Sequence, residues 1–348
     1  MHPRPFAFSL LLLSLFIASG TLADEVDPVK RIASHSLSIK TDKGDAELPV
    51  EISIDWSEPH PEITRALIII HGKHRNVEGY FRSAMHEAAK SDADKSTAII
   101  APQFLREIDI PAHRLGPKIL RWSKGEWSAG EDAMAPLPIS SYSAVDSIVQ
   151  QLGDRRHFPA LRQIVIAGHS GGGQVVQRYA VVGRAPKALP ADIHVRFVVA
   201  NPSSFLYFDD IRPTADGTLA PFAGAANCHN FDHWKYGPGD PPDYVGNASL
   251  ADLEKAYAAS DVIYLQGAAD TDPDHPDLDK SCAGEAQGAN RYARGTAYFH
   301  YIKARHPDSP TQQFWKVPGA AHDESSMFDS ECGLAALFDH GKCTTPMQ

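Results

Sequence analysis

The chain has 348 residues, of which 43% are hydrophobic and 22% charged, a balance that excludes a disordered chain and a membrane protein. Its 43 acidic residues outnumber 33 lysines and arginines, which gives a formal net charge of −10. Because no cluster of basic residues offsets this charge, nucleic acid and anionic membranes are disfavoured as main partners. A small-molecule substrate is compatible with this composition.

Residues 1–23 have the pattern of a secretory signal peptide. Arg4 supplies the positive start, and residues 6–18 form an apolar run that is too short to span a bilayer. A small residue ends the segment, so we place cleavage before Asp24 and the folded domain at 24–348. The alternative is an uncleaved N-terminal anchor. We expect a secreted or periplasmic protein, because no later segment of the sequence is long and apolar enough to form a membrane helix.

Four cysteines, Cys228, Cys282, Cys332 and Cys343, show no Cys-x-x-Cys spacing, which argues against a zinc ribbon or a thioredoxin-type site. An even number in an oxidising compartment indicates two disulfides. Of the three possible pairings we favour Cys332–Cys343 with Cys228–Cys282; free buried thiols are the alternative.

Short runs typical of β-strands alternate with segments of helical periodicity. The predicted strands are 34–40, 47–55, 65–71, 97–101, 163–167, 196–200, 261–266 and 313–317. The predicted helices are 77–90, 141–152, 173–182, 290–305 and 325–338. The first two strands look like an antiparallel pair, and the remaining alternation predicts one α/β domain with a mostly parallel sheet covered by helices on both faces.

Two long segments interrupt this alternation. Residues 102–138 carry Trp122 and Trp127, and residues 202–260 are rich in proline, glycine and aromatic residues, including Trp234. Loops of this length are usually lids or binding loops, and both leave the carboxyl ends of predicted strands, where open α/β sheets bind ligands. We therefore predict a cap at about 202–260 and substrate contacts from the three tryptophans. The alternative is that the aromatic residues only fill the cap's own core.

The sharpest motif is Gly168-His169-Ser170-Gly171-Gly172, which fits Gly-x-Ser-x-Gly and lies between a predicted strand and a predicted helix. So tight a turn needs flanking glycines and holds the serine in a strained, exposed conformation. We predict that Ser170 is a nucleophile. His169 is expected to pack beneath the turn, and it is also a candidate for substrate contact.

A serine hydroxyl needs a base, and the base needs an acid that fixes its tautomer. His322 follows the last predicted strand and is the expected base. Asp270 follows the strand at 261–266 and is the expected acid, with Asp272 and Asp274 as rivals in the same loop. The aspartates of this loop could instead hold calcium, but glycine and glutamate are missing where a standard calcium loop needs them. We expect no metal and no cofactor.

The oxyanion of a tetrahedral intermediate needs two N–H donors. We expect one from the backbone of Gly171 and the other from the backbone of Lys73, which follows the predicted strand at 65–71. His71 and His74 are expected to hold the backbone of this loop.

The chain order of nucleophile, acid and base, together with the glycine-flanked turn and His71-Gly72, resembles the α/β-hydrolase superfamily over about residues 32–340. Stretches at 200–204, 269–273 and 287–295 look like those of uncharacterised secreted members. The resemblance implies an eight-stranded, mostly parallel sheet with the nucleophile at its centre and an insertion after strand six. The loop sequence His-Gly-Lys-His, in place of His-Gly-Gly-Gly, argues against the hormone-sensitive-lipase branch.

These features together predict a secreted serine hydrolase that cleaves small-molecule carboxylic esters through an acyl-enzyme on Ser170. Amide or peptide hydrolysis and acyl transfer are alternatives that use the same residues. A non-catalytic binding protein on a hydrolase fold is an alternative of a different class. The sequence leaves the oligomeric state open.

Overall fold

The computed structural model describes residues 27–347, so the predicted signal peptide at 1–23 lies outside the described residues. Its strands are β1 His35–Thr41, β2 Gly44–Ile52, β3 Arg65–Ile70, β4 Thr97–Pro102, β5 Leu105–Arg106, β6 Arg121–Trp122, β7 Gln163–His169, β8 His194–Ala200, β9 Ile211–Pro213, β10 Leu219–Pro221, β11 Asp261–Gly267, β12 Gln312–Val317 and β13 Pro346–Met347. Its α-helices are α1 Val77–Lys90, α2 Asp109–His113, α3 Ser141–Leu152, α4 Gly171–Val182, α5 Leu250–Ala259, α6 Cys282–Glu285, α7 Arg291–Arg305, α8 Glu324–Phe328 and α9 Glu331–Phe338.

The main sheet has the strand order β1-β2-β4-β3-β7-β8-β11-β12-β13. Its six central strands, from β4 to β12, are parallel, whereas β1, β2 and β13 pair with their neighbours in the antiparallel direction. All eight predicted strands and the predicted α/β class are therefore confirmed. The two-residue β13 adds a ninth strand at the edge, and so short a segment carries no periodicity that a sequence pattern could reveal.

The central strands are buried on both faces, as their continuous apolar runs predict. In β3 the side chains of Leu67 and Ile69 pack into the cluster on one face of the sheet, and those of Ile68 and Ile70 pack into the larger cluster on the other face. Successive side chains of a strand point to opposite faces, so residues of this one strand contribute to both hydrophobic clusters.

The predicted helix at 325–338 is wrong as one element, because α8 ends at Phe328 and α9 begins at Glu331. Ser330 caps α9 with a side-chain oxygen that accepts a hydrogen bond from the N–H of Gly333. A Cβ on Gly333 would lie 2.3 Å from the carbonyl oxygen of Phe328. The local capping and this close approach break the helix.

The segment at 202–260 has one α-helix, α5, and a short hairpin of β9 and β10. Most of its aromatic side chains are buried: Phe205, Tyr207, Phe208 and Tyr244 belong to the main core, and Phe231 and Tyr236 form a small cluster with Cys228. The alternative that these aromatic residues serve packing therefore holds for most of them. The assignment of the segment as a cap stays a prediction.

Both favoured disulfides are present. The sulfur atoms of Cys228 and Cys282 lie 2.02 Å apart, and those of Cys332 and Cys343 lie 1.97 Å apart. The first bond joins the 202–260 segment to the start of α6, and the second holds the C-terminal tail against α9. Among residues 27–347, no helix has the length and apolar character that crossing a bilayer requires.

Candidate active site

Ser170 occupies a sharp turn between β7 and α4. Its φ of 57° and ψ of −117° lie outside the regions that most residues adopt. A Cβ on Gly172 would lie 2.1 Å from the carbonyl oxygen of Ile70, and one on Gly168 would lie 2.4 Å from the carbonyl carbon of Gly172. The backbone passes so closely here that glycine is required on both sides of the serine, which explains the motif.

Two further side chains complete a hydrogen-bonded chain with Ser170. The Nε2 atom of His322 lies 3.0 Å from Ser170 Oγ, and its Nδ1 atom lies 2.8 Å from Oδ2 of Asp270. A carboxylate only accepts, so Nδ1 carries the proton and Nε2 is free to accept the serine proton. The structure thus brings together the three predicted residues, and this arrangement is suited to activating a hydroxyl.

The sheet explains why residues so far apart in the chain meet. Ser170 follows β7, Asp270 follows β11 and His322 follows β12, and these parallel strands all end at the same edge. In open α/β sheets ligands bind at this edge, because loops from several strands converge there.

The pKa of His322 is lowered from its ordinary value. Burial is the largest cause, and the positive charge of Arg291 and the nearby His275 act in the same direction. The hydrogen bond to Asp270 opposes them. The net effect favours the neutral imidazole, which is the form that accepts a proton.

Arg291, the first residue of α7, was not predicted. Its Nη1 atom lies 3.5 Å from Oδ1 of Asp270, and its Nε–H donates to Oγ of Ser203 over 3.2 Å. Both members of the Arg291–Asp270 pair are buried. Nothing in the sequence pattern marks an arginine at the start of a helix, because its importance arises only from the tertiary contact.

The rival aspartates have other environments. Asp272 and Asp274 are exposed, and the carboxylate of Asp272 accepts a hydrogen bond from the backbone N–H of Asp274. Asp277 forms ion pairs with Lys73 and His74, whose hydrogen bonds and charges hold its pKa well below the ordinary value. In the part of the chain that the structure describes, no group of three histidine, cysteine or acidic side chains is arranged to hold a metal ion.

The loop that carries Lys73 passes close to Gly171 and Ser170. A Cβ on Gly171 would lie 3.2 Å from the backbone nitrogen of Lys73, and a Cβ on Gly72 would lie 3.6 Å from Cβ of Ser170. Gly171 opens α4, so the helix itself makes no use of its N–H.

His71 holds the loop that carries Lys73. Its Nε2 accepts the N–H of Phe104 over 3.0 Å, and its Nδ1 donates to the carbonyl oxygen of Gly72 over 2.8 Å. Burial lowers the pKa of His71 to about 4, so the ring stays neutral and retains both bonds at neutral pH. This arrangement agrees with the predicted role of His71 in holding the loop backbone.

A cavity of about 580 Å³ opens beside Ser170. Its walls include two of the three predicted tryptophans, Trp127 and Trp234. Trp122 does not line it, which corrects the prediction: this side chain is fully buried, 5.3 Å from Phe104 between ring centroids, and its Nε1 donates to the carbonyl of Glu131.

His169 does not line this cavity either. It is buried beneath the turn, with its ring centroid 4.5 Å from that of His322 and its Nδ1 3.4 Å from the hydroxyl of Tyr80. This position fits the expectation that His169 packs beneath the turn. It does not fit the prediction that His169 contacts the substrate.

Comparisons with known proteins bear on the fold. No protein-family model matches the chain, and no curated protein matches it. The solved structure of poly(aspartic acid) hydrolase-1 from Sphingomonas sp. KT-1 is similar with a TM-score of 0.56 and 20% identity, over 87% of this chain and 96% of that one. The poly(3-hydroxybutyrate) depolymerase LpqC from Bordetella parapertussis is similar with a TM-score of 0.59 and 22% identity, over 88% of this chain and 90% of that one. At these identities the likeness establishes a shared fold.

Proposed function

We propose that this chain, which has the α/β-hydrolase fold, is a serine hydrolase that cleaves carboxylic esters through an acyl-enzyme on Ser170. One observation carries the proposal: the continuous hydrogen-bonded chain from Ser170 Oγ through His322 to Asp270, with distances of 3.0 and 2.8 Å. A strained serine, a neutral buried imidazole and a buried carboxylate in this order are what nucleophilic acyl transfer requires.

In the first half of the reaction, Nε2 of His322 takes the proton of Ser170 Oγ as that oxygen bonds to the carbonyl carbon. The carbonyl oxygen becomes an oxyanion, which the N–H groups of Lys73 and Gly171 stabilise. The intermediate collapses when the bond to the leaving oxygen breaks. His322 then gives its proton to that oxygen, and the alcohol departs.

In the second half, His322 takes a proton from water as the water oxygen bonds to the acyl carbon. A second oxyanion forms in the same place, and its collapse breaks the bond to Ser170 Oγ. His322 returns the proton to the serine, and the carboxylic acid leaves. Every step uses groups of this chain, so the proposal needs no cofactor.

Ester and amide substrates are cleaved by the same groups, and fold alone does not choose between them. The two structures compared above are named for a poly(amino acid) and for a polyester. The ester assignment therefore needs a direct test. We expect 4-nitrophenyl butanoate to be cleaved far faster than the 4-nitroanilide of the same acid. A comparable rate on the anilide would favour the amidase alternative.

The first test is labelling with a fluorophosphonate, which reacts with activated serines. We expect one adduct, which peptide mapping places on Ser170, and no adduct in Ser170→Ala. Ser36→Ala, at an exposed position on β1, is the matched control and should label like the wild type. Folded protein that gives no adduct would overturn the enzyme proposal and favour a binding protein on this fold.

We also infer that the protein is exported. The two disulfides support this inference, because such bonds persist in oxidising compartments, and so does the signal-like pattern of residues 1–23. Expression of the full chain in a bacterium should yield a secreted or periplasmic product whose N-terminal residue is Asp24. Retention of the intact N-terminus on membranes would favour the anchor instead.

A further inference from the structure

The cavity beside Ser170 lies on one side of the serine. Its walls include Lys73 and Gly171, the two expected oxyanion donors, whereas His322 is not among the described residues that line it. The leaving group of an ester must lie near His322, because it takes its proton from that side chain. The cavity therefore suits the acyl group of the substrate.

Gln174 presents a polar group to this cavity. It lies one helical turn after Ser170 on α4, about 6 Å farther along the helix axis, and its side chain lines the cavity with only 8% exposure. Its Oε1 atom accepts hydrogen bonds from Ser204 Oγ, at 2.9 Å, and from Arg178 Nη1, at 3.3 Å. Both neighbours donate, so the atom that they contact is the amide oxygen. The other terminal atom of the Gln174 side chain is therefore the NH₂ nitrogen, Nε2.

The NH₂ group of Gln174 makes no hydrogen bond to any of residues 27–347 that the structure describes. Other polar side chains of the wall do have partners: Ser203 Oγ donates to the carbonyl of Asp277, and Trp234 Nε1 donates to the carbonyl of Ala129. Gln174 Nε2 is not among the fully enclosed polar atoms that lack a partner, so it is open to the cavity, where water satisfies it until a ligand supplies an acceptor. Gln174 Nε2 is thus a donor that the protein itself leaves unsatisfied.

The charges around the cavity indicate what kind of acceptor fits. Three lysines and four acidic residues line it. Lys73 lies 2.6 Å from Asp277 and Lys235 lies 3.7 Å from Asp279, so these cations already have acidic partners. The wall has no surplus of positive charge, which favours a neutral oxygen over a carboxylate.

We propose that Gln174 Nε2 donates a hydrogen bond to a neutral acceptor oxygen in the acyl group of the substrate, a few bonds from the scissile carbonyl. The substrate class is then esters of oxygen-bearing acids rather than of plain fatty acids. This inference rests on the proposed ester hydrolysis and assigns Gln174 a role in substrate specificity.

The test uses two acyl groups of the same shape on one leaving group. 4-Nitrophenyl 3-methoxypropanoate differs from 4-nitrophenyl pentanoate only in that an ether oxygen replaces a methylene. Dividing each kcat/KM by the rate of hydroxide-catalysed hydrolysis removes the difference in intrinsic reactivity. We expect the corrected ratio to favour the ether by about 3- to 10-fold, the range of one neutral hydrogen bond. The hemiester of glutaric acid should be slower than the ether.

Two variants test whether Gln174 causes the preference for the ether substrate. Gln174→Glu keeps an oxygen for Ser204 and Arg178 but replaces the NH₂ donor, and Gln174→Met removes both polar ends at similar volume. Each should lower the ether preference by about 3- to 10-fold. A substitution that slows the cleavage of both esters equally leaves this ratio unchanged, because both values of kcat/KM are measured with the same variant. Gln150→Glu, at an exposed position on α3, is the control and should keep the wild-type ratio.

The outcomes separate this inference from the proposed function. Turnover of both esters with no preference for the ether, an unchanged ratio in both Gln174 variants, or a faster glutarate hemiester would overturn the role of Gln174 and leave the hydrolase intact. Failure of both turnover and labelling of Ser170 would overturn the hydrolase proposal, and this inference with it.

Discussion

The guanidinium of Arg291 lies 3.5 Å from Oδ1 of Asp270, on the side of the carboxylate opposite His322. Asp270 therefore contacts a cation through one oxygen and the imidazole through the other. The guanidinium also acts on His322 directly, since its positive charge lowers the pKa of that ring. Arg291 is a positioning residue in this arrangement, because it reaches the reacting atoms only through Asp270 and His322.

We expect Arg291→Met to move the acidic limb of the pH profile of kcat/KM to higher pH. The sign follows from the charge: removing a cation stabilises the protonated imidazole and raises the pKa of His322. Arg291→Lys keeps a positive charge and should leave the limb near its wild-type position. A limb that stays in place in Arg291→Met, with only a lower plateau, would assign Arg291 a packing role alone.

The identity of the acid is tested by Asp270→Asn. The amide keeps the shape of the side chain but offers His322 a different hydrogen-bonding group, which disfavours the productive tautomer. We expect kcat to fall by about 10⁴-fold with little change in the melting temperature. Asp272→Asn, in the exposed part of the same loop, should stay within about twofold of the wild type. A large loss in Asp272→Asn instead would assign the role to the rival.

The sequence predicts much of this site because the constraints on it are local. The turn at Ser170 admits only glycine at its flanks, and β3 is apolar in every residue after Arg65, so each constraint is visible in a few consecutive residues. The chain order of Asp270 and His322 follows from the strands that precede them. These features could therefore be predicted before any contact was known.

The other features of the site and fold depend on tertiary contacts, which the sequence pattern does not indicate. Trp122 and Trp127 lie in one segment, yet only the second reaches the cavity. Arg291 and Gln174 look like ordinary helical residues until their partners are known. Helices α8 and α9 share one apolar periodicity, and only the cap at Ser330 and the close approach at Gly333 separate them.

The glycine requirement of the turn predicts a stability effect. In Gly172→Ala the new Cβ would meet the carbonyl oxygen of Ile70 at 2.1 Å, so the backbone of β3 or α4 must move. We expect a loss of about 2–4 kcal/mol in the free energy of unfolding, measured by urea denaturation. Gly116→Ala is the matched control, since a Cβ there has no neighbour within 4 Å, and it should change this free energy by less than about 0.5 kcal/mol.

Glu87 on α1 predicts a pH dependence of stability that is independent of catalysis. Burial is the main cause that raises its pKa to about 8. The side chain has a single partner among the described residues, Ser83, whose hydroxyl donates to Oε1. The folded protein thus holds a proton that the unfolded chain releases near its ordinary pKa of 4.5. Stability should fall as the pH rises from about 4.5 to about 8.

Glu87→Gln removes this titration and keeps the shape of the side chain. We expect the variant to gain free energy of unfolding relative to the wild type between pH 5 and pH 8, by a few kcal/mol in total, because one pKa unit corresponds to about 1.4 kcal/mol. Urea denaturation at both pH values measures the difference, in which all other titrating groups cancel. Met85→Gln, at an exposed position on the same helix, introduces an amide without removing a carboxyl group and is the control, which should keep the wild-type dependence on pH. A wild type and a Glu87→Gln variant that change in parallel with pH would show that Glu87 is ionised in the folded protein.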